Sequence, residues 1–186
     1  MTLPPGPTGE ALARLREAFA KIDAFSERVS QAHPEDVACG PGCHDCCRGG
    51  LSLRAVEAAF LAEAVRALPP EAAAAVGRGL TEGEDGACSL LLSGRCAAYE
   101  RRPAVCRSHG LPMLRAEGGG VSVHHCPRNF RGVESRTLPA SLLLDEAHLA
   151  VLMDAVDALY SRQSGWGGGR IPLADLVRAG LQNSSC

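Results

Sequence analysis

The sequence contains few aromatic residues, no long hydrophobic run and little net charge, and each absence excludes a class of protein. Aromatic residues are only 4% of the 186 residues, so the helices can bury only a modest apolar area per residue. The longest apolar stretches are far shorter than a membrane-spanning helix, which argues against a membrane protein. The net charge of −2 gives no overall attraction for nucleic acid, so no nucleic-acid partner is expected.

The first residues also lack the pattern of a signal peptide. They contain no basic segment followed by an apolar run, so we expect the protein in the cytoplasm. Cytoplasmic thiols are kept reduced, and a dense set of cysteines there favours metal binding or redox chemistry. The alternative is a secreted protein held by four disulfide bridges, which the helix-rich flanks of the cysteine region disfavour.

Cysteine is the residue that the sequence has in excess, with nine copies, of which eight form one pattern. The eight are Cys39, Cys43, Cys46, Cys47, Cys88, Cys96, Cys106 and Cys126. Thiolates bind zinc, iron and iron–sulfur clusters strongly, so this density predicts a metal centre with the eight cysteines as ligands. The ninth, Cys186, stands outside the pattern and is expected to be a free, exposed thiol.

The spacing leaves the number and type of metal sites open. The first run reads C-x3-C-x2-C-C, and the adjacent Cys46 and Cys47 are expected to point apart and to serve different sites or different metals of one cluster. Eight thiolates suffice for two four-ligand sites, or for one cluster with catalytic or structural thiols beside it. An iron–sulfur cluster is favoured over zinc, because the run lacks two clean C-x2-C pairs that would close a zinc tetrahedron.

The predicted fold is mainly α with two small β-hairpins, in a single domain over residues 1–186 that is organised around the cysteine-rich metal site. Residues 1–8 are expected to form a loose N-terminal tail. Residues 39–126 form the predicted cysteine-cluster core, and residues 142–180 hold the predicted C-terminal helices.

The spacing of apolar residues and turn residues places the individual elements. Helices are predicted at 8–33, 52–68, 71–78, 142–161 and 171–179. Ser52 is the expected N-cap of the second helix and Gly180 the expected C-cap of the last. In the fourth helix the residues expected to face inward are Leu149, Leu152, Val156, Leu159 and Tyr160. The segments CSLLLSGRCAAY and PMLRAEGGGVSVHHC predict the hairpins, with turns at 93–94 and 118–120.

A basic segment accompanies the later cysteines, with eight arginines and three acidic residues between positions 95 and 136. Cations beside a thiolate lower the thiol pKa, and arginine also suits an anionic small molecule or protein partner. Arg102, Arg107 and Arg128 lie nearest in sequence to the last two cysteines, so they are the candidate ligand-binding residues. The alternative is a basic surface that is merely solvated.

Histidines add further candidates for the site. His44, His109, His124 and His125 each lie within four residues of a cysteine, and imidazole is a good ligand for zinc and iron. A histidine close to a cysteine in sequence is more commonly a hydrogen-bonding neighbour of a metal ligand, or simply an exposed side chain, than a ligand itself. His109, which follows Cys106 and Arg107, is the best candidate acid or base, but the sequence assigns no catalytic residue.

The cysteine pattern resembles that of the YkgJ-like proteins, a bacterial family described as a zinc- or iron-chelating domain with eight cysteines. CGPGCHDCC, then CSLLLSGRCAAYERRPAVCR, then Cys126, match the family pattern. Besides the eight cysteines, the matching positions are Gly94, Tyr99, Arg102, Pro103 and Arg107. The resemblance implies metal binding. The family includes the domain of flagellin lysine N-methylase, a longer protein whose activity is not carried over to this chain.

Two functions from different classes follow as expectations. One is a cytoplasmic protein that carries an iron–sulfur cluster or similar thiolate centre, used for redox or group-transfer chemistry on an anionic substrate. The other is a non-catalytic zinc- or iron-chelating module with a structural, storage or delivery role. Thiol–disulfide exchange by Cys46 and Cys47 is a poorer third possibility, because vicinal cysteines form strained bridges.

Overall fold

Six α-helices make up most of the regular structure in the computed structural model, which describes residues 2–40, 42–48, 50–82 and 86–182. The helices are α1 (Gly9–Ala32), α2 (Ala55–Arg66), α3 (Pro70–Glu82), α4 (Ala104–Ser108), α5 (Glu146–Ser164) and α6 (Leu173–Gln182). This composition confirms the mainly helical fold. α1 matches its predicted range because Thr8 precedes it in extended conformation and its apolar stripe is continuous.

The strands are short and form three small sheets among the described residues. They are β1 (Ser52–Leu53), β2 (Leu91–Leu92), β3 (Arg95–Cys96), β4 (Met113–Glu117), β5 (Gly120–His124), β6 (Leu144–Asp145) and β7 (Ile171–Pro172). β2 with β3 and β4 with β5 are the two predicted hairpins, and both pairs are antiparallel. Gly94 and Gly119 adopt positive φ at their turns, a conformation that glycine reaches without strain.

Two further strand pairings join segments that are far apart in the sequence. β1 pairs antiparallel with β7, and β6 pairs in parallel with β4. Neither pairing was predicted. β1, β6 and β7 have only two residues each, and no local sequence pattern indicates that they pair with distant segments. These pairings attach the C-terminal helices to the cysteine-bearing half of the chain.

The hydrophobic core is centred on α2, which packs against α1, α5 and α6. α2 is buried on nearly all sides, while α1 buries one stripe that includes Leu15, Phe19 and Val29. The rings of Phe19 and Phe60 lie 5.9 Å apart between the two helices. None of the helices in the described part of the chain is both long and apolar enough to cross a membrane.

The start of α2 corrects a local prediction. Ser52 lies in β1 rather than at a helix N-cap, and the helix begins at Ala55 after Arg54. The long-range pairing of β1 with β7 fixes the backbone of Ser52 in an extended conformation, which overrides its local preference for capping. α3 begins at Pro70, as its fixed φ suits a first turn, and extends further than predicted.

α5 also differs from its prediction at its start and on one face. It begins at Glu146, four residues later than predicted, because Asp145 pairs with β4 and its carboxylate accepts the His148 N–H at 2.9 Å. Leu152 was predicted to face inward but is 39% exposed, and Met153 is buried in its place. Val156 and Tyr160 are buried as predicted, so the buried stripe runs through Met153, Val156 and Tyr160.

Gly180 lies inside α6 rather than at its C-cap. A Cβ atom at this position would meet Val65 Cγ1 at 2.7 Å, so the missing side chain allows α6 to approach α2 closely. Residues 2–8 are likewise not a loose tail. Leu3 is 8% exposed, and the Tyr160 hydroxyl donates a hydrogen bond of 2.5 Å to the Pro5 carbonyl.

Candidate metal centre

The cysteine run lies in an irregular loop that follows α1 and is folded by tight turns. Cys43 N–H donates to the Gly40 carbonyl at 3.0 Å, and Cys47 N–H donates to the His44 carbonyl at 2.9 Å. Gly42 adopts a φ of +89° between these turns. Such turns compress the loop, so its sulfurs lie close enough to influence one another electrostatically.

One group of sulfurs, here called the loop set, consists of Cys39, Cys43, Cys46 and Cys126. The charges of the other three act on Cys39. The charge of the adjacent Cys47, which lies outside the set, acts most on Cys46, followed by those of Cys43 and Cys126. Cys126 lies two residues after the end of β5, so the second hairpin brings the fourth sulfur to the loop. A Cβ atom built on Gly110 would lie 2.7 Å from Cys39 Sγ and 3.6 Å from Cys126 Cβ, which shows how closely the chain converges here.

Asn129 joins the segments that carry the loop set. It is 2% exposed, and its Oδ1 accepts the Ala38 N–H at 2.9 Å. Its Nδ2 donates to the Gly110 carbonyl at 2.7 Å and to Cys39 Sγ at 3.2 Å. An amide N–H directed at a sulfur stabilises the thiolate form, which is the form that binds metal. Asn129 therefore positions Cys39 and favours the thiolate form of its side chain.

The other group, here called the hairpin set, consists of Cys47, Cys88, Cys96 and Cys106. Cys88 N–H donates to the Cys47 carbonyl at 3.0 Å, and Arg48 forms a β-bridge with Ala87. These bonds fasten the end of the cysteine run to the first hairpin. Cys96 lies on β3, opposite Leu91.

The sulfurs of the hairpin set also interact with backbone donors and with one another. The N–H groups of Leu90 and Ala98, each two residues after a cysteine, hydrogen-bond to the sulfurs of Cys88 and Cys96. The charges of Cys47, Cys88 and Cys96 act on Cys106. The four sulfurs therefore influence one another, and Cys47 also interacts with Cys46 of the loop set through a side-chain hydrogen bond.

Cys106 reaches the hairpin set on α4, and a buried carboxylate holds that helix. Glu57 of α2 is 3% exposed, and its Oε1 accepts the Ala104 N–H at the first turn of α4 at 2.7 Å. Burial raises the pKa of Glu57, while the bond from Ala104 and the nearby Arg54 oppose that rise. The carboxylate thus replaces the N-cap that the sequence of α4 does not supply.

Burial dominates the acidity of the thiols, which corrects the expectation that the arginines lower it. Desolvation raises the pKa of two cysteines of the loop set and of all four cysteines of the hairpin set, and it raises the pKa of Cys106 to about 12. Arg102 lowers the pKa of Cys47, Cys96 and Cys106, but it is outweighed. The cysteines with a raised pKa are Cys39, Cys46, Cys47, Cys88, Cys96 and Cys106.

The three arginines selected from the sequence lie in different environments. Arg107 has an 8% exposed side chain, which pairs with Asp23 and lies 4.4 Å above the Phe19 ring. Arg128 pairs with Asp45 of the cysteine run, Nε to Oδ2, at 2.5 Å. Arg102 stacks on Tyr99 at 3.5 Å from its centroid. Acidic residues from elsewhere in the fold thus offset part of the basic segment, and binding of an anionic ligand stays a prediction.

The histidines mostly have structural partners. The His44 ring lies against the turn of the first hairpin, 3.4 Å from where a Cβ of Gly94 would stand. His124 pairs with Glu117 at 3.0 Å, and His125 bonds to the Cys126 carbonyl and to Ser135. His109 ends α4 and is exposed. A role for any of these rings as ligand or acid–base stays a prediction.

The donor chemistry of both sets fits a thiophilic metal. The eight cysteines within the described residues are free thiols, and Cys186 lies outside those residues. Among the described side chains, no three cysteines, histidines or carboxylates converge tightly enough to enclose an ion. The loop set could hold metal through three ligands from one loop and one from the second hairpin, and the hairpin set through its four sulfurs.

Sequence reasoning missed three residues that organise this region, namely Gly110, Asn129 and Glu57. Asn129 lies three residues after Cys126, and Gly110 four residues after Cys106, but each acts on a cysteine from another segment. Glu57 is separated from Ala104 by 47 positions. No local signal marks such residues, because their partners are known only once the chain is folded.

Comparison with known proteins supports the metal-binding character of this region. Residues 38–127 match the model of the CxxCxxCC family, described as "putative zinc- or iron-chelating domain". This segment, just under half of the chain, is therefore a domain of the cysteine-cluster family, which confirms the resemblance seen in the sequence. Comparison with curated proteins and with solved structures gave no match.

Proposed function

We propose that this protein, through its CxxCxxCC domain, chelates metal with cysteine thiolates and carries an iron–sulfur cluster on the loop set. The observation that carries the proposal is the approach of Cys39, at the start of the cysteine run, to Cys126 after β5, with Gly110 and Asn129 in contact with Cys39. Thiolates in this number bind iron–sulfur clusters or zinc in preference to hard cations. Zinc is the alternative metal for this set.

The arrangement of the loop set favours an iron–sulfur cluster over zinc. Three of its cysteines come from one short loop, and the fourth, Cys126, is remote and is followed by Pro127. Bacterial ferredoxins ligate a cluster with three cysteines of one run and a remote cysteine that precedes proline, although their run has two residues between successive ligands. Cys39 and Cys46 are exposed, so iron and sulfide can reach the set from solvent.

Anaerobic purification with elemental analysis tests the proposal. We expect iron and acid-labile sulfide in about equal amounts, and their loss in the variant Cys43→Ser. Cys186→Ser is the matched control, because this cysteine stands outside the pattern, and its metal content should equal that of the parent protein. A protein that stays folded and binds neither iron nor zinc after anaerobic reconstitution would contradict metal chelation. Zinc bound without acid-labile sulfide would contradict the iron–sulfur cluster but not metal chelation.

A second candidate function uses the centre for redox or group-transfer chemistry on an anionic substrate. The observation in its favour is Arg102, whose guanidinium acts electrostatically on three sulfurs of the hairpin set and lies beside the partly exposed Tyr99. Arg102→Gln should preserve metal content and weaken binding of inorganic phosphate, used as the probe anion. Arg178→Gln on α6, which removes the partner of Asp175 away from the cysteines, is the control and should leave both metal content and phosphate binding unchanged. Loss of metal from Arg102→Gln would mean that Arg102 only offsets thiolate charge.

The simplest role consistent with the site is chelation itself, for a structural, storage or delivery purpose. Each set supplies four sulfurs, which is enough to satisfy a metal centre without a further ligand. We place this activity in the cytoplasm, where thiols remain reduced and able to bind metal.

A further inference from the structure

We propose that β5 is an interaction surface at which two copies of this chain pair antiparallel, so that their three-stranded sheets join into one continuous six-stranded sheet. β5 is an outer strand of its sheet, since β4 lies between it and β6. The inference goes beyond metal chelation, because β5 contains no cysteine and the groups that would pair are those of its backbone.

The first step establishes which backbone groups of β5 point outward. The hairpin turn has two residues, both glycines, with φ of +55° and +83°, so the flanking Glu117 and Gly120 are a hydrogen-bonded pair. Hydrogen-bonded pairs alternate along an antiparallel ladder, so every second residue after Gly120 also bonds to β4. The N–H and C=O groups of Val121 and Val123 therefore point away from β4.

The contacts on the other side of β4 confirm this alternation. The Leu144 N–H donates to the Pro112 carbonyl at 2.8 Å, so Pro112 and every second residue after it face β6. Met113 and every second residue after it then face β5. Met113 pairs with His124, which places His124, like Gly120, among the residues that bond to β4.

The second step is that these outward groups have no partner within the chain. Among the residues that the structure describes, none forms a hydrogen bond with the outward N–H or C=O of Val121 or Val123. The 3₁₀ turn at Ser135–Thr137 approaches the end of β5, where the His125 ring bonds to Ser135, but none of its described backbone groups bonds to the strand. Free backbone groups at an exposed edge are a template for another strand.

The third step is that β5 lacks the residues that keep an edge strand from pairing. Lysine and proline commonly serve this purpose, and the strand, which reads GVSVH, has neither. Val121 is 66% exposed, and its side chain lies on the same face of the sheet as that of Val123. The edge thus presents apolar side chains beside its free backbone groups.

The fourth step concerns the partner, because the strand is complementary to itself. When two copies pair antiparallel about a two-fold axis at Ser122, Val121 of each lies opposite Val123 of the other. Both residues present outward groups, so the two symmetric pairs form four backbone hydrogen bonds. Each exposed Val121 side chain then packs against a Val123 side chain of the second copy.

The charges on the polar face of the joined sheet also fit this register. His124 of one copy lies opposite Gly120 of the other, whose neighbour on β4 is Glu117. Gly120 has no side chain to separate them, and His124 already pairs with Glu117 of its own chain at 3.0 Å. Each carboxylate therefore attracts the protonated imidazole of the other copy, and no like charges lie opposite one another along the five paired residues. A strand of unrelated sequence would not share this match, so a second copy is the occupant that fits.

Sedimentation velocity of the reduced full-length protein, from about 1 µM to 1 mM, tests the pairing. The interface is one strand wide, so we expect a reversible dimer that forms in the upper part of this range. Val121→Lys should weaken dimerisation at least about tenfold, because each copy loses an apolar contact and places an ammonium group at the junction. Val151→Lys on α5 is the matched control, since Val151 is 68% exposed, and it should dimerise like the parent protein.

A cysteine cross-link tests the register and decides the case in which Val121→Lys does not fold. The two copies of residue 122 form a non-hydrogen-bonded pair with Cα atoms about 4.5 Å apart, within reach of a disulfide. Ser122→Cys should therefore form a disulfide between copies on mild oxidation, which peptide mass spectrometry identifies as a link from position 122 to position 122. Val121→Cys is the control, because its two copies lie diagonally, about 7–8 Å apart, and should not link to each other.

A parent protein that stays monomeric at the highest concentration would overturn the inference, including the case in which the edge instead binds a strand of another protein. A dimer that Val121→Lys and Val151→Lys weaken equally would overturn it, and so would a dimer in which Ser122→Cys forms no link between the two copies of position 122. These outcomes are separate from failure of the proposed function. Cys43→Ser should lose metal and still dimerise like the parent protein, because the pairing depends on β5 alone.

Discussion

Gly110→Ala offers the sharpest test of the loop set, because a single methyl group would enter the space between its cysteines. Gly110 has a φ of +94°, which side chains rarely adopt, and a Cβ there would meet Cys39 Sγ at 2.7 Å. Asn129 Nδ2 would lie at 3.2 Å from it. The substitution therefore combines backbone strain with displacement of a proposed metal ligand.

The two effects have different magnitudes and appear in different measurements. A non-glycine residue in left-handed conformation costs about 1–2 kcal/mol, and this cost lowers the stability of the protein with or without metal. The contact with Cys39 can be relieved by rotation of its side chain, which breaks the hydrogen bond from Asn129. A bond to a charged group is worth about 1.5–3 kcal/mol, so metal affinity at the loop set should fall roughly tenfold or more.

Gly132→Ala is the matched control, since Gly132 has a φ of +80° and nothing within 4 Å of its Cβ position. We expect both variants to lose similar stability in urea unfolding of the reduced, metal-free protein, within about 1 kcal/mol of each other. Only Gly110→Ala should lose iron in a competition with a chelator. If both variants retain iron equally, Cys39 is not a ligand whose position depends on this contact, and our account of the loop set is wrong.

The remaining predictions concern residues that support the two sets. Asn129→Asp keeps the acceptor for the Ala38 N–H but removes the amide donor and adds negative charge beside Cys39. Iron should therefore be lost and the visible absorption of the cluster altered, and unchanged iron content and spectrum would refute this. Burial raises the pKa of Glu57 above its ordinary value of 4.5, so its stabilising contribution is fully present below that pH and is lost as pH rises through the raised pKa. Glu57→Gln should therefore remove this decline with pH in the urea stability of the metal-free protein, and parallel pH curves for the parent and this variant would contradict the expectation. Glu57→Ala should lower the free energy of unfolding by about 1–3 kcal/mol, because it leaves the Ala104 N–H without a partner. Arg128→Gln should change the melting temperature little, because its ion pair is half-exposed and such pairs contribute about 0–1 kcal/mol, and a large loss of stability would show that the pair has a further role.

The sequence alone predicted much of the helical frame and both hairpins. α1 follows from an unbroken apolar stripe between Thr8 and Pro34, and the turns at Gly94 and Gly119 follow from local turn chemistry. The cysteine pattern also indicated metal binding, because the preference of thiolates for soft metals depends on residue type and density rather than on the fold. These features share one property, namely that their causes lie within a few residues of their effects.

Long-range contacts decided what local patterns could not. Ser52 lies in β1 instead of the expected N-cap because it pairs with a strand about 120 residues away, which no local pattern shows. The arginines of the basic segment likewise pair with acidic residues from α1, α2 and α5. Local preferences amount to about 1 kcal/mol and are readily outweighed by such contacts. For the same reason a single sequence could not place Glu57 beneath α4.

The division of the cysteines into two sets is the clearest case of what only tertiary structure decides. The sequence determined that eight thiols lie within one segment and that Cys46 and Cys47 are adjacent. Which sulfurs lie together depends on the Cys88 to Cys47 backbone bond and on Asn129, which joins Cys39 to Cys126. Adjacent residues can belong to different groups because a ligand set is defined by distance in space, and the folded chain brings residues 39 and 126 closer than their separation in sequence suggests.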